Sequence, residues 1–377
     1  MTKKFLVLFI VVLIGSILLA ACQAPSSGPP QPTVTVTTTS SYGLSPASVL
    51  GIQGDASTIT SYPGIPWVRL AYQTCNSTGL SGQPLKNTIQ AYHNQGMHVL
   101  LTYCQVSGSG LFNTQQLKDA TQGGADAVQC GNEQMKQSAT TTYIAPADFA
   151  SFYDLCQKTV QNAHSGIPVI LGALDPWVVP NDDAHLMQQV QYLDAMQSAM
   201  NSSVHPGGHW DWRSQILGLI DSWHNGYPDS STNNLLQLYH FWSQQLNVPI
   251  SSLGDHIWVI EGTGCVSGCG LNAGDARQAA ISHILTLITD VRTTMKYHVP
   301  FFYFSGKDFY SQIGLIYGIL DVNGHPKPIR QDLPMNARTL MLSCPSGNSV
   351  IADQEQLLAK LYSGCTPPAN YASILAS

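Results

Sequence analysis

Short apolar runs alternate with amphipathic segments about eight times along this 377-residue chain, and this alternation constrains its fold more than any other feature. The apolar runs are predicted strands at residues 49–52, 66–72, 97–103, 127–131, 167–172, 216–220, 257–261 and 300–304. Nearly continuous apolar strands that alternate with helices require a parallel sheet covered by helices. Eight units of this kind predict an α/β fold, a closed (β/α)8 TIM barrel formed by a single domain.

The segments between the strands show helical spacing of their apolar residues. Predicted helices lie at residues 85–95, 117–121, 146–166, 186–200, 235–246, 275–297 and 335–342. A two-lobed α/β binding protein that captures solutes would share this alternation and chain length. The number of strands, together with acidic residues at two strand ends, favours the barrel.

The N-terminal region divides into two segments ahead of the barrel. Residues 1–21 read as an export signal, with Lys3 and Lys4 before an apolar run, and residues 22–41 are a Pro/Ser/Thr-rich linker. Residues 19–22, Leu-Ala-Ala-Cys, resemble the bacterial lipoprotein cleavage box. That resemblance implies that Cys22 is lipidated and holds the protein on the cell surface. An uncleaved membrane anchor over residues 5–21 is the alternative.

The predicted barrel covers residues 42–345, and residues 346–377 form a C-terminal tail that a disulfide pins down. Nine cysteines occur, and an even number remains once Cys22 is set aside, which suits disulfides in an exported protein. The expected pairs are Cys265–Cys269, Cys344–Cys365, and two among Cys75, Cys104, Cys130 and Cys156. Zinc is the rival interpretation, but the chain has no CxxC pair, so we expect no metal.

Charge argues against nucleic acid as a partner. The chain has a formal net charge of −6, only 10% charged residues and no run of Lys or Arg. A surface of this composition suits an exported protein that handles neutral polar ligands such as glycans. We expect it to act as a monomer.

Glutamate is normally among the commonest residues, yet this chain has only Glu133, Glu261 and Glu355. Two of the three, Glu133 and Glu261, follow short apolar runs and precede polar or Gly-rich sequence. This is the pattern of a carboxylate at the C-terminal end of a buried strand. A chain that nearly dispenses with surface glutamate, and keeps two at strand ends, indicates a chemical role for both.

Two carboxyl groups at the mouth of a barrel match the requirement of glycoside hydrolysis. Functional groups of (β/α)8 barrels project from the C-terminal ends of the strands. At a separation of about 5 Å, one carboxylate attacks the anomeric carbon while the other protonates the leaving oxygen. A wider separation would indicate an inverting hydrolase.

Gly131-Asn132-Glu133 after the fourth strand and Val259-Ile260-Glu261 on the seventh resemble the clan A retaining glycoside hydrolases, the cellulase-, mannanase- and xylosidase-type barrels. The resemblance covers residues 42–343. It implies that Glu133 is the acid/base, that Asn132 holds the sugar 2-hydroxyl and that Glu261 is the nucleophile. It also implies a carbohydrate substrate and no cofactor. A non-catalytic cell-surface receptor for glycans or solutes is the alternative.

Further positions match the clan less closely. Arg69 corresponds to the strand-two arginine that keeps the nucleophile ionised, and Asp308 lies at the end of strand eight. His224 and Tyr227 resemble a His-x-Tyr element, with one extra residue between them. The platform tryptophan usual after strand eight is missing here, so Tyr303 or Phe304 is a candidate for its place. Loop tryptophans are further candidate sugar platforms: Trp177, Trp210 and Trp212.

Overall fold

A computed structural model describes residues 50–54, 59–70, 80–105, 114–135, 143–164, 166–174, 183–221, 234–262, 276–308, 318–329 and 340–371. Residues 43–377 belong to one compact unit. The signal segment, Cys22 and the linker lie outside the described residues, and so do Cys75, Cys265 and Cys269. No helix in the described ranges is long and apolar enough to cross a membrane.

Eight parallel strands close into a barrel, as the alternation predicts. Each strand pairs with the next along the chain, and the first also pairs with the eighth. The strands are β1 (Leu50–Gly54), β2 (Trp67–Leu70), β3 (His98–Tyr103), β4 (Ala127–Cys130), β5 (Val169–Leu174), β6 (Ile216–Asp221), β7 (Ile257–Gly262) and β8 (Phe301–Tyr303). The prediction of a (β/α)8 barrel is confirmed.

Helices follow seven of these strands within the described residues. They are α1 (Gly82–His93), α2 (Thr114–Gln122), α3 (Pro146–Ala163), α4 (Asp183–Ala199), α5 (Asn234–Leu246), α6 (Ala276–Tyr297) and α7 (Gln354–Tyr362). The first six match predicted helices. The prediction of a helix at 335–342 is wrong at its end, since residues 340–342 lie in a strand. Its start lies outside the described residues.

The C-terminal segment supplies the helix that follows β8. Strands β9 (Leu340–Cys344) and β10 (Gly347–Ile351) form an antiparallel hairpin, and α7 comes directly after it. The side chains of Leu357, Leu358 and Leu361 on α7 are buried in the main core. Tyr362 donates a hydrogen bond to the carbonyl of Gly51 on β1 at 2.8 Å. The segment predicted as a tail therefore contributes α7 to the layer of helices that packs around the barrel.

Alternation along each strand produces two apolar cores. The larger lies between the sheet and the helices. The smaller fills the barrel and consists of Trp67, Leu100, Ala127, Ile170, Ala173, Ile220, Trp258, Ile260 and Phe302. Each of these residues comes from a strand and points inward, whereas apolar chain neighbours such as Val68, Leu101 and Phe301 contribute to the outer core.

Disulfides tie parts of this framework together. Cys344 pairs with Cys365, which confirms the predicted bridge. Cys130 at the end of β4 pairs with Cys156 on α3, a pairing within the predicted group of four. Cys104 is disulfide-bonded as well. Disulfides of this kind are typical of exported proteins, because the cytosol keeps thiols reduced.

Candidate active site

A ring of polar side chains lies above the apolar barrel interior, at the C-terminal ends of the strands. Arg69 and Gln129 each follow an inward-facing apolar residue by two positions, so they also point inward. Gln53 pairs in register with Arg69, and Thr102 pairs with Gln129. These four side chains are buried. Burial of so many polar groups is tolerated only if they satisfy one another.

Arg69 is the centre of this ring, with a side chain that is 0% exposed. Each of its three nitrogens donates to side chains from other strands or strand ends. Nε donates to Thr102 Oγ1 and to Gln129 Oε1, both at 3.0 Å. Nη1 donates to Gln53 Oε1 at 2.8 Å and to Glu261 Oε1 at 2.5 Å. Nη2 donates to Asn132 Oδ1 at 2.9 Å. One guanidinium on β2 thus links β1, β3, β4 and β7 to its own strand in a fixed geometry.

Glu261 reaches this guanidinium because β7 departs from regular alternation. Ile260 belongs to the interior core, so regular alternation would turn the next side chain outward. The pairing of β7 with β8 shifts between Val259 and Gly262, where three steps on β7 match two on β8. The extra residue is a β-bulge, and it allows Ile260 and Glu261 to face inward in succession. Glu261 is 2% exposed, and a buried carboxylate of this kind requires its cation.

Asn132 is held by its backbone and by its side chain. Gln105 binds both backbone groups: its Oε1 accepts from Asn132 N at 3.1 Å, and its Nε2 donates to Asn132 O at 3.0 Å. The side-chain oxygen of Asn132 accepts from Arg69 and also from Gln129 Nε2 at 3.1 Å. Position and orientation of this amide are therefore fixed before any ligand arrives.

Glu133 follows directly and has a backbone φ of 47°, in the left-handed region. A residue other than glycine adopts this conformation only when its surroundings impose it, and such residues cluster at functional sites. Gly131, two positions earlier, has a φ of 100°, and a Cβ there would meet the ring of Phe149 at 2.6 Å. The backbone of the turn after β4 thus determines the position of Glu133, which follows Asn132 and is half-buried.

Gln134 lies beneath this turn and is completely buried. Its amide packs against Gly172 of β5, where a Cβ would lie 2.2 Å from Gln134 Nε2. Gly172 has a φ of 54° and coincides with a register shift between β5 and β6. A bulge with a glycine in the left-handed region therefore makes room for the buried side chain of Gln134, the residue that follows Glu133.

Some of the predicted site residues meet, and others do not. Arg69, Asn132 and Glu261 share one hydrogen-bonded network, and Glu133 adjoins it. Trp177, His224 and Tyr227 lie outside the described residues.

The two tryptophans before β6 are not sugar platforms. Trp212 is 0% exposed, and its Nε1 donates to Asp194 Oδ1 at 2.9 Å while its ring packs edge-on against Trp242. Trp210 is half-buried and contacts Tyr153 edge-on. Both precede β6, at the N-terminal end of the barrel, and this places them opposite the mouth.

The candidates on and after β8 are Tyr303, Phe304 and Asp308, and each has contacts within the protein. Tyr303 is completely buried in the outer core, because its neighbour Phe302 is the one that faces the interior. Burial raises the pKa of its hydroxyl well above the ordinary value. Asp308 binds Lys327 at 2.8 Å and accepts from the backbone of Gly318 at 2.6 Å. The assignment of Tyr303 as a sugar-binding residue is therefore wrong, whereas that of Asp308 stays a prediction. Phe304, the other β8 candidate, is buried at the strand end.

Sequence reasoning missed the amide and hydroxyl partners of Arg69. Gln53, Thr102 and Gln129 each stand at an inward position of an otherwise apolar strand, and this is the signal that could have found them. Gln105 lies just beyond β3 and carries no comparable signal. In the described ranges, no group of three or more His, Cys, Asp or Glu side chains could hold a metal ion.

Comparisons with known proteins rest on structure alone, since no family model and no curated protein matches the sequence. An endo-β-1,3-glucanase of GH128 subgroup II from Sorangium cellulosum is 13% identical with a TM-score of 0.47, over 74% of this chain and 93% of its own. A GH5_18 protein from Streptomyces cattleya is 12% identical with a TM-score of 0.42, over 70% and 68%. The catalytic domain of a mannanase from Streptomyces sp. SirexAA-E is 12% identical with a TM-score of 0.41, over 72% and 78%.

These three neighbours are glycoside hydrolases of clan A. At TM-scores below 0.5 and identities of 12–13%, the similarity carries no information on the activity of this chain. The arrangement of its own residues must support any proposal about function.

Proposed function

We propose that this protein is a retaining glycoside hydrolase that cleaves a poly- or oligosaccharide by double displacement. The observation that carries the proposal is the buried ion pair between Glu261 and Arg69, which shares its guanidinium with Asn132, the residue before Glu133. Two carboxyl groups in this setting, at the mouth of a barrel, supply the two functions that the reaction needs. No cofactor takes part in the proposed reaction.

Glu261 acts as the nucleophile. The guanidinium of Arg69 stabilises its carboxylate form, and the ion pair holds the carboxylate in place inside the barrel mouth. In the first step a carboxylate oxygen forms a bond to the anomeric carbon while the bond from that carbon to the leaving oxygen breaks. The product is a glycosyl ester of Glu261 and a free alcohol.

Glu133 supplies and later removes the proton. In the first step it protonates the leaving oxygen. In the second step it takes a proton from water as the water attacks the anomeric carbon and releases Glu261. Its half-buried position suits a group that must exchange protons with a leaving group and then with water. The net result is hydrolysis with retained anomeric configuration.

The test is hydrolysis of a panel of 2,4-dinitrophenyl β-glycosides by wild type and by single Glu→Ala variants. We expect Glu261→Ala and Glu133→Ala to lose activity, by about a thousandfold or more for the nucleophile. Glu355→Ala is the matched control: Glu355 is half-buried in the first turn of α7, and its loss should leave turnover unchanged. Equal turnover by wild type and Glu261→Ala would overturn the assignment of the nucleophile.

Azide then separates the two roles. In Glu261→Ala, azide can occupy the space left by the carboxylate, attack the anomeric carbon from that side and yield the glycosyl azide of inverted configuration. In Glu133→Ala it attacks the glycosyl-enzyme and yields the retained configuration. Proton NMR of the first-formed sugar distinguishes retention from inversion in the wild type. Binding of oligosaccharides without any hydrolysis would favour the non-catalytic receptor instead.

We also propose that the protein is exported and anchored to a membrane through a lipid on Cys22. The disulfides in the barrel support an oxidising compartment. Expression of the full chain in a bacterium with lipoprotein processing should place the wild type in the membrane fraction. Cys22→Ser should release it, and an unchanged distribution would contradict the proposal.

A further inference from the structure

The guanidinium of Arg69 determines which end of each neighbouring amide faces it. A guanidinium has only donors, so every group that it binds must present an oxygen. Gln53, Gln129 and Asn132 each contact it within 3.0 Å, and in all three the oxygen faces Arg69. The orientation of these amides follows from hydrogen-bond chemistry. Their NH2 groups must therefore point elsewhere.

Gln129 passes this constraint on to Asn132. Its Oε1 accepts from Arg69 Nε and also from Thr102 Oγ1 at 2.9 Å. Its Nε2 therefore faces the turn after β4 and donates to the carbonyl of Gly131 at 2.7 Å and to Asn132 Oδ1 at 3.1 Å. Gln129 is completely buried, so water does not compete for these bonds.

Asn132 Oδ1 consequently accepts from two donors, Arg69 Nη2 and Gln129 Nε2. Both lone pairs of this oxygen are engaged. Within the described part of the chain, the Nδ2 group of Asn132 has no hydrogen-bond partner, although the residue is only 4% exposed. The amide presents a donor and withholds its acceptor from a ligand that approaches Glu133.

We propose that Gln129 is a positioning residue that fixes the amide of Asn132 with its nitrogen toward the substrate. This inference rests on the proposed function. The substituent at sugar carbon 2 must then accept a hydrogen bond, as a hydroxyl oxygen or an acetamido carbonyl does and a protonated amine does not. Gln129 acts through Asn132 and does not touch the sugar itself.

The experiment compares sensitivity to the 2-hydroxyl in wild type and variants. The probes are 2,4-dinitrophenyl β-D-glucoside and β-D-mannoside, and their common 2-deoxy counterpart, the 2-deoxy-β-D-arabino-hexopyranoside. The ratio of kcat/KM between a hydroxyl probe and the deoxy probe measures what the 2-hydroxyl contributes to the transition state. Asn132→Ala sets the floor of this ratio.

We expect Gln129→Met to lower the ratio about tenfold toward this floor, as the loss of one oriented hydrogen bond predicts. Gln129→Glu keeps the size of the side chain and its acceptor for Arg69 but removes the donor to Asn132, so it should lower the ratio as well. Adding Gln129→Met to Asn132→Ala should leave the ratio unchanged, because the two residues act in series.

Gln53→Met is the matched control, because Gln53 accepts from the same guanidinium but has no bond to Asn132. It should reduce kcat/KM for all probes together and leave the ratio within about twofold. Unchanged ratios in both Gln129 variants, or an equal fall in Gln53→Met, would overturn the inference while leaving the hydrolase intact. Absence of hydrolysis of every probe by wild type would instead overturn the proposed function, and the inference with it.

Discussion

Arg69 on β2 donates from Nη1 to Oε1 of Glu261 on β7, at 2.5 Å and across 192 positions of the chain. Both side chains are shielded from water, with exposures of 0% and 3%. Because neither charge is solvated, each depends on the other for compensation. The pair therefore links the stability of the barrel to the geometry of its mouth.

Arg69→Met should destabilise the fold by about 3–5 kcal/mol, because it leaves the Glu261 carboxylate buried without a cation. Urea unfolding of wild type and variant measures this change. Glu261→Gln in the same background should restore part of the loss, since it removes the charge that lacks compensation. An Arg69→Met variant as stable as wild type would show that the ion pair is not required for folding.

Gly172→Ala should destabilise the protein and alter the turn that carries Glu133. A Cβ at Gly172 would lie 2.2 Å from Gln134 Nε2, and the backbone φ of 54° adds strain. Together these should cost about 2–3 kcal/mol. Thermal and urea unfolding measure the loss.

Gly82→Ala is the control for that substitution. Its φ is 58°, close to that of Gly172, and a Cβ there would meet nothing within 4 Å. It should cost only about 1 kcal/mol, the backbone part of the effect. Equal losses at the two glycines would show that the contact with Gln134 does not matter.

Removal of the Cys344–Cys365 disulfide by substitution of both cysteines with serine should lower the free energy of unfolding by about 3 kcal/mol. The bridge joins cysteines 21 positions apart, from the end of β9, and encloses β10 and α7, the helix that packs on the barrel. Chemical denaturation gives the change.

The Cys130–Cys156 bridge provides the comparison, since its sequence separation of 26 predicts a similar loss of stability. Cys130 directly precedes the turn with Asn132 and Glu133, so its removal should also reduce hydrolysis. Loss of Cys344–Cys365 should not, at temperatures where the variant stays folded. The reverse pattern would contradict this assignment of structural roles.

Asp290→Asn should stabilise the protein at neutral and alkaline pH. Burial raises the pKa of Asp290 well above its ordinary value of 3.8, and the charge of Asp221 raises it further. The buried hydroxyl of Tyr239, bonded to Thr294, also lies near these carboxyls. A raised pKa in the folded state means that stability is fully present below pH 3.8 and is lost as pH rises through the raised value.

The melting temperature from about pH 2 to pH 9 tests this sign. The advantage of Asp290→Asn over wild type should grow with pH and vanish toward pH 4. Asp321 provides the opposite case, because a backbone hydrogen bond from His325 lowers its pKa. Asp321→Asn should therefore cost some stability at neutral pH and none at strongly acid pH. A melting temperature of Asp290→Asn that tracks wild type across the range would contradict the prediction.

The eight strands were predictable because each is a short apolar run, and an apolar run of that length must be buried on both faces of a sheet. Glu133 and Glu261 stood out for a related reason: each ends such a run in a chain that almost lacks glutamate. The C-terminal helix was misplaced because residues 335–342 have suitable spacing, whereas their partner strand β10 is recognisable only after the hairpin forms.

Trp212 and Tyr303 show why side-chain roles were harder to predict than strands. Both are aromatic residues near a strand terminus, but the end of the barrel and the parity along the strand decide which surface each one faces. Tyr303 and Phe302 are neighbours in sequence and lie on opposite sides of the same strand.

The sequence by itself was enough to predict the barrel and to identify Glu133 and Glu261 as candidate catalytic residues, since hydrophobic periodicity and residue type are local properties. Only the tertiary structure decided that Glu261 faces inward, because a bulge in β7 shifts its register. It alone placed Arg69 between Glu261 and Asn132, residues 192 and 63 positions away. Contacts of this kind depend on closure of the sheet, and closure is a property of the whole chain.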